Sequence, residues 1–122
     1  MEVDEIREYA LSLEKVEECF PFGEDNLVFK NEGKIFIILD IASHPCTMNY
    51  KATPDNINEQ RDSYPDAIFP GFHMNKKHWN TLHHNRIVPS SFIKEIISDS
   101  YQLVSKKNKK SKHQLSTVSE KT

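Results

Sequence analysis

The stretch FPGFHMNKKHWNT, residues 69 to 81, concentrates side chains that could hold an anion. Its cationic and amide side chains are His73, Asn75, Lys76, Lys77, His78 and Asn80. Such side chains donate hydrogen bonds that phosphate oxygens accept. Trp79 offers an aromatic face for a splayed base, and the Pro70-Gly71 turn could leave backbone N–H groups open to an anion. These residue types predict a phosphate-binding surface, and a nucleic-acid backbone is the most general ligand of that kind.

The spacing of these residues divides them, because neighbours on a strand point to opposite faces. Alternation places Asn75, Lys77 and Trp79 on one side, and Lys76, His78 and Asn80 on the other. We expect Trp79 to pack inward beneath the helices, since a lone tryptophan in a small domain usually anchors its core. Lys76, His78 and Asn80 then point outward. A bulge near Asn75 would turn Lys77 outward as well, and a plain solvated strand edge is the alternative explanation for both lysines.

The charge distribution also favours this region as an anion-binding surface. The net charge is −2, yet residues 1 to 32 are rich in acids while Ala67 to Lys94 contains no Asp or Glu. Arg86 lies in this acid-free window, and a further cluster of lysines follows Ser105. A uniformly basic surface is excluded, but a basic patch is predicted.

Length and composition bound the class of protein. A chain of 122 residues with 28% charged residues fits one globular domain, which we place at residues 1–105. The Lys/Ser-rich residues 106–122 are too poor in apolar side chains to order themselves, so they are predicted to be a disordered tail. No apolar run is long enough for a membrane span and no signal peptide is evident, so a cytoplasmic location is expected. Two cysteines give no disulfide framework.

Hydrophobic periodicity predicts the elements. Residues 2 to about 18 read as an amphipathic helix, and a last helix starts at Pro89. A short helix from Thr53-Pro54 to about Ser63 lies between them. The predicted strands are residues 26–30, 34–40, 46–51, 67–69 and 77–83, the first two joined as a hairpin by Asn31-Glu32-Gly33. This order implies an α+β domain whose antiparallel sheet carries the N- and C-terminal helices on one face.

Three groups of residues resemble the MmcQ/YjbR family. They are Cys19-Phe20-Pro21-Phe22-Gly23-Glu24-Asp25, the run from Pro70-Gly71 through Trp79 to Thr81, and Ser100-Tyr101. The resemblance spans about Glu5 to Val104 and implies a CyaY-like fold with a sheet of the double-wing DNA-binding type. His83-His84-Asn85-Arg86 departs from the short turn of that family's pattern. The Pro21-Phe22-Gly23 segment is itself predicted to be a buried turn that links helix to hairpin.

An enzymatic role is not predicted. Cys19 lies on the apolar side of the first helix's end, where an inert thiol is the simpler interpretation. The histidines lack the spacing of a zinc site, so no metal or other cofactor is expected. The acid row Glu5, Glu8, Glu14, Glu17 and Glu18 leaves iron binding by the first helix as a minor alternative.

The sequence therefore predicts a non-enzymatic protein, monomeric or weakly associating, that binds DNA phosphates with low specificity. The predicted contacts are His73, Asn75, Lys76, Lys77, His78, Asn80 and Arg86. The main alternative is a protein-interaction or small-ligand module with a cleft around Phe72, Met74 and Trp79.

Overall fold

The computed structural model describes residues 1–43, 46–71, 74–83 and 88–105. Its helices are α1 (Val3–Leu11), α2 (Pro54–Ser63) and α3 (Ser90–Val104). Its strands are β1 (Val16–Cys19), β2 (Asn26–Asn31), β3 (Lys34–Asp40), β4 (Thr47–Lys51), β5 (Ile68–Pro70) and β6 (Trp79–His83). The strands form one antiparallel sheet in the order β1-β2-β3-β4-β6-β5. The predicted α+β architecture is confirmed.

The core lies between one face of the sheet and the helices. Leu39, Met48, Leu82 and Ile68 stand opposite one another across four neighbouring strands and form a buried apolar row. Helix α3 lays its apolar stripe on this face, and the buried members of that stripe are Ile93, Ile96, Ile97 and Val104. Helix α1 contributes Ile6 and Ala10, and α2 contributes Ile57. Because strand side chains alternate, the residues between these face the other side of the sheet.

The first helix is shorter than predicted. It ends at Leu11, and the residues predicted to complete it form β1, which pairs with β2. Lys15 breaks the helical path with a positive φ of 64°, a conformation that non-glycine residues rarely adopt. The acids and apolar residues after Leu11 fit a helical period, but ladder hydrogen bonds to β2 stabilise the extended form instead.

The hairpin of β2 and β3 is confirmed, with a tighter connection than expected. Asn31 pairs with Lys34, so only Glu32 and Gly33 form the turn, with φ values of 50° and 85°. Two positive φ values are typical of the two-residue turns that match the twist of paired strands. The middle helix also matches its prediction, because the Thr53 hydroxyl accepts the Asn56 N–H at 3.2 Å.

The last strand begins later than expected. Lys77 and His78 were predicted to start it, but they belong to a turn that precedes β6. The final helix begins at Ser90, one residue after the predicted start, and Pro89 is its N-cap. The predicted tail at residues 106–122 lies outside the described residues. Within the described part of the chain, no helix has the length and apolar character needed to cross a membrane.

Candidate nucleic-acid interface

Four consecutive exposed residues, Asn75, Lys76, Lys77 and His78, form what we call the basic turn. The Asn75 carbonyl accepts hydrogen bonds from the N–H groups of His78 and Trp79 at 3.1 and 3.0 Å. Its side-chain oxygen accepts the Lys77 N–H at 2.9 Å. Asparagine stabilises turns in this way because its short side chain reaches the backbone two residues on. The local sequence therefore folds into a turn that displays its side chains, rather than into a strand that alternates them.

Arg61 on α2 fastens the basic turn to the body of the domain. Its Nη2 donates to the Lys76 carbonyl at 2.6 Å, and its Nε donates to Asn80 Oδ1 at 2.7 Å. Lys76 makes a second connection, since its Nζ donates to the Gly71 carbonyl at 3.1 Å. These side-chain bonds fix the turn relative to α2 and to the end of β5.

Lys77 and His78 have polar side-chain groups that are available for a ligand. Among the residues that the structure describes, neither the Lys77 ammonium nor the His78 ring has a hydrogen-bond or ion-pair partner. Lys76 is exposed too, although its ammonium is already bonded. Lys77, which strand alternation placed inward, therefore points to solvent without the bulge that we expected to be necessary.

Asn80 was predicted to contact phosphate, and this prediction is wrong. Its side chain is fully buried on the helix side of the sheet. Its Nδ2 lies within hydrogen-bond distance of Ile57 O at 3.1 Å, Gln60 Oε1 at 3.2 Å and the Tyr50 hydroxyl at 3.3 Å. Because Oδ1 accepts from Arg61, Asn80 serves as the anchor that positions Arg61 and, through it, the basic turn.

Trp79 is buried, as expected, but not beneath the helices. Tyr50 and Asn80 are paired and bond to α2, so the next pair, Lys51 and Trp79, faces the opposite side of the sheet. The Lys51 ammonium lies 5.9 Å from the centroid of the Trp79 ring, within the range of a cation–π contact. With 8% of its surface exposed, Trp79 offers little room for base stacking.

Gly71 allows the backbone after β5 to approach Trp79 closely. A Cβ atom at Gly71 would lie 2.8 Å from the Trp79 Cβ, a distance that real Cβ atoms do not tolerate. The Gly71 N–H donates to the Trp79 carbonyl at 3.0 Å. This N–H is therefore unavailable to an anion, contrary to the expectation for the Pro70-Gly71 turn, and the motif is structural.

The segment Phe20–Asp25, which we call the acidic aromatic loop, joins β1 to β2. Phe20 and Phe22 are 49% and 60% exposed, so the prediction of a buried turn at Pro21-Phe22-Gly23 is wrong. Gly23 has a φ of 105°, which explains the glycine but gives no burial to its neighbours. The segment also follows a strand, because the first helix has already ended.

Two further cations of the region were missed by sequence reasoning. Lys51 lies beside the basic turn because Ala52 N donates to the His78 carbonyl at 2.9 Å. Arg61 appeared to be an ordinary polar residue of a short helix. The pairing of β4 with β6 brings both close to the basic turn, and neither has a signal in its immediate sequence.

The other predicted residues fall into two groups. His73, Arg86 and Phe72 lie outside the described residues. The acid row of the iron hypothesis is divided, because Glu17 and Glu18 belong to β1 and not to the first helix. Within the described part of the chain, no three His, Cys, Asp or Glu side chains are grouped so that they could hold a metal. Burial raises the pKa of the Cys46 thiol, which disfavours the reactive thiolate.

This arrangement defines an α+β domain with three helices on one side of an antiparallel sheet and a basic turn leading into β6. Residues 11–103 match the model of the YjbR family, and the chain belongs to that family. It is 38% identical over 95 residues to the uncharacterized protein YbdF of Escherichia coli O157:H7, covering 78% of this chain and 77% of YbdF. The resemblance seen in the sequence motifs is thereby confirmed.

Solved structures show the same fold. The Deinococcus radiodurans protein DR2400, a DUF419 domain, superimposes with a TM-score of 0.82 and 33% identity, covering 90% of this chain and 86% of that one. A Pseudomonas syringae protein solved by NMR gives a TM-score of 0.71 at 25% identity, covering 86% and 94% of the two chains. These names state no activity.

Proposed function

We propose that this protein binds DNA without catalysing a reaction, and that the basic turn contacts the phosphate backbone. The observation that carries the proposal is the pair Lys77 and His78, two adjacent exposed groups without partners among the described residues, on a turn held by Arg61. Because the backbone of the turn is already fixed, phosphate binding has to order only the side chains, which lowers its entropic cost. Phosphate contacts supply most of the affinity of nonspecific DNA binding.

The distribution of charge across the sheet supports this orientation. The basic turn, Lys51 and Arg61 lie near β4 and β6, towards one edge of the sheet. The opposite edge is β1, which carries Glu17 and Glu18 and leads into the acidic aromatic loop. A phosphate backbone is attracted to the first region and repelled from the second, which orients the protein on approach.

The small number of available cations sets the strength of binding. Two or three phosphate contacts give a logarithmic salt dependence with a slope of about −2 to −3, at about −0.9 per contact. The affinity of the domain is then micromolar at best, and it carries little sequence specificity because phosphates do not report the base. His73, Arg86 and the lysines after Ser105 would add charge.

Fluorescence anisotropy of a labelled DNA duplex over a salt series tests the proposal. The full chain is compared with Lys77→Ala, and Lys94→Ala serves as the matched control. Lys94 is also exposed, but its ammonium lies on the helix side, 5.7 Å from the Tyr9 ring centroid. We expect Lys77→Ala to weaken binding and to reduce the salt slope by about 0.9, while Lys94→Ala leaves both unchanged.

A second full-length variant tests whether DNA binding depends on the domain or on the lysine-rich residues after Ser105. Lys106, Lys107, Lys109, Lys110 and Lys112 are replaced by glutamine. If this variant loses all binding, or if Lys77→Ala and Lys94→Ala have equal effects, the basic turn is not the contact surface. Absence of binding by every variant at low salt would reject DNA binding altogether.

A further inference from the structure

A cavity of about 240 Å³ opens between α2, α3 and the C-terminal end of β4. A smaller depression of about 130 Å³ continues it along the two helices and adds Glu59 and Glu95 to its lining. Both are lined by Asn56, Gln60, Ile96 and Asp99. The main cavity is smaller than the roughly 300–1,000 Å³ of most ligand pockets, so its occupant would be a small metabolite. We call this site the α2–α3 cavity.

Gln60 gives the cavity a hydrogen-bond donor without a partner. The residue is only 8% exposed, and its Oε1 accepts from the Tyr50 hydroxyl at 2.8 Å and lies 3.2 Å from Asn80 Nδ2. Arg61 donates to Asn80 Oδ1, which fixes the Asn80 amide and hence the side of Gln60 that accepts. The Gln60 NH₂ group is left over, and it has no partner among the described residues.

The Gln60 NH₂ group is available to a ligand. Among the described residues the buried side-chain atom without a partner is Asn31 Oδ1, so the Gln60 NH₂ group is open to the cavity, where water or a ligand can accept its hydrogen bonds. The Gln60 side chain lines the α2–α3 cavity, so an acceptor atom placed there would complete its bonding. The Gln60 amide is held in place from behind by Tyr50 and Asn80, and the site is therefore preorganised.

The ionisable groups of the cavity give it a negative charge. Asp99 lines both parts, and Glu59 and Glu95 line the smaller one. Lys51 also borders the cavity, but its ammonium lies over Trp79 on the other face of the sheet. The Asp99 carboxylate has no hydrogen-bond or ion-pair partner among the described residues. Partial burial and the neighbouring Glu95 raise its pKa, as expected for a carboxylate that lacks a cation.

A metal ion is not the cation that fits. In the described part of the chain, no three carboxylate, imidazole or thiol groups converge as a bound metal would need. The main cavity instead combines the Asp99 carboxylate with side-chain amides and the apolar surface of Ile96 and Leu103, while Glu59 and Glu95 line the smaller depression. This combination matches an ammonium group attached to a short carbon chain.

We propose that the α2–α3 cavity binds a small primary amine that also carries a hydroxyl or carbonyl oxygen. The ammonium donates to the Asp99 carboxylate, the oxygen accepts from the Gln60 NH₂ group, and the carbon chain packs on Ile96. This inference does not rest on DNA binding, because none of the four residues of the basic turn lines the cavity.

Titration of the ¹⁵N-labelled full-length protein tests the site, with the side-chain amide signals of Gln60 and Asn56 as local reporters. Three probes of similar length distinguish the contribution of the ammonium group from that of the oxygen. The compound 4-aminobutanol carries both groups, butylamine lacks the oxygen, and 1,4-butanediol lacks the charge. We expect saturable shifts and a millimolar Kd for 4-aminobutanol, and weaker binding of the other two. Asp99→Asn should weaken 4-aminobutanol binding about tenfold, since hydrogen bonds to charged groups are the stronger ones.

Glu24→Gln is the matched control, because it removes one exposed carboxylate from the acidic aromatic loop, outside the cavity. This variant should bind 4-aminobutanol as the original protein does. Asp99 lines the cavity but is an exposed residue, so a thermal melt should show that Asp99→Asn remains folded. The proposal is overturned if 1,4-butanediol binds as well as 4-aminobutanol, if the shifts do not saturate, or if Asp99→Asn leaves the Kd unchanged.

Discussion

The basic turn and the acidic aromatic loop both precede a strand, yet they are held in different ways. The basic turn is fastened by side chains from other parts of the chain, because Arg61 binds its backbone and Asn80 orients Arg61. In the acidic aromatic loop, the described hydrogen bonds join backbone groups, such as Gly23 N to Phe20 O at 3.3 Å. The basic turn is therefore fixed by side chains from other parts of the chain, whereas the loop is held by backbone hydrogen bonds, one of them from Ile41 N to Asp25 O at 2.9 Å.

The comparison shows that exposure alone does not identify a binding surface. Phe20 and Phe22 are large exposed apolar groups, and the hydrogen bonds described for their loop join backbone groups. Lys77 and His78 are exposed on a segment that the domain holds rigidly. A ligand that meets the basic turn therefore loses less conformational entropy from the protein than one that meets the loop.

Among changes to the two segments, the largest loss of stability is expected when the support of the basic turn is removed. Asn80→Leu removes the amide that bonds to Arg61, Ile57 and the Tyr50–Gln60 pair, leaving several buried polar groups without partners. We expect a loss of about 2–4 kcal/mol in the free energy of unfolding, measured by urea denaturation. Asn58→Ala is the control, since Asn58 is exposed and accepts from Arg61 at 3.4 Å only. Equal stability of both variants would contradict the anchoring role of Asn80.

The next prediction compares Gly71, which contacts Trp79 directly after the basic turn, with Gly23 of the acidic aromatic loop. Gly71→Ala places a Cβ 2.8 Å from the Trp79 Cβ and 3.0 Å from the Trp79 carbonyl oxygen. Overpacking of this kind costs about 1–3 kcal/mol in stability. Gly23→Ala meets no atom within 4 Å, and its cost comes only from the positive φ of 105°. If Gly71→Ala is tolerated without a change in the urea midpoint, the close approach of β5 to Trp79 does not exist in solution.

A smaller effect is expected from the exposed aromatics. Phe22→Ser should cost less than about 1 kcal/mol, because most of the ring is already in water and little apolar area is exposed on unfolding. Phe29→Ala is the contrasting variant, since Phe29 is fully buried and such truncations cost about 3–5 kcal/mol. Urea denaturation of both variants measures the difference. A loss for Phe22→Ser as large as that for Phe29→Ala would mean that the acidic aromatic loop packs against the domain.

The fold could be predicted from the sequence where local signals agree. The hairpin has β-branched strands and Gly33 in its turn, and α2 has Thr53 and Pro54 at its start. Helix α1 was overextended because the residues after Leu11 satisfy a helical period, and only pairing with β2 decides between helix and strand. Such pairing depends on residues distant in sequence, which no local pattern reports.

The candidate site was predicted only in part, for a related reason. The region and its lysines follow from the acid-free window, but the direction of each side chain depends on where β6 begins. Strand alternation was assumed for Lys76, Lys77 and His78, but these residues form a turn. As a result Asn80 was expected to face outward, whereas its side chain faces α2. Arg61 could not be assigned, because its role depends on α2 lying against β6.

The smallest expected effect concerns the acidic edge of the sheet. Arg7 Nε donates to Glu18 at 2.7 Å and Nη2 at 2.5 Å, and this hydrogen bonding holds the pKa of Glu18 below its ordinary value of 4.5. A lowered pKa in the folded state means that the pair stabilises the fold above about pH 4.5. That contribution is lost as the pH falls through the lower, folded-state pKa. Because the pair is exposed, its effect should be close to the limit of measurement.

The urea midpoints of Glu18→Gln and of the original protein should therefore differ slightly at pH 7, and the difference should shrink as the pH falls below about 4.5. Glu17→Gln is the control, because Glu17 is exposed on the same strand and should show no such convergence. A difference for Glu18→Gln that persists or grows in acid would mean that the carboxylate is not the stabilising form. The acidic edge would then lack the ordered ion pair that distinguishes it from the basic turn, whose Lys77 and His78 have no partner among the described residues.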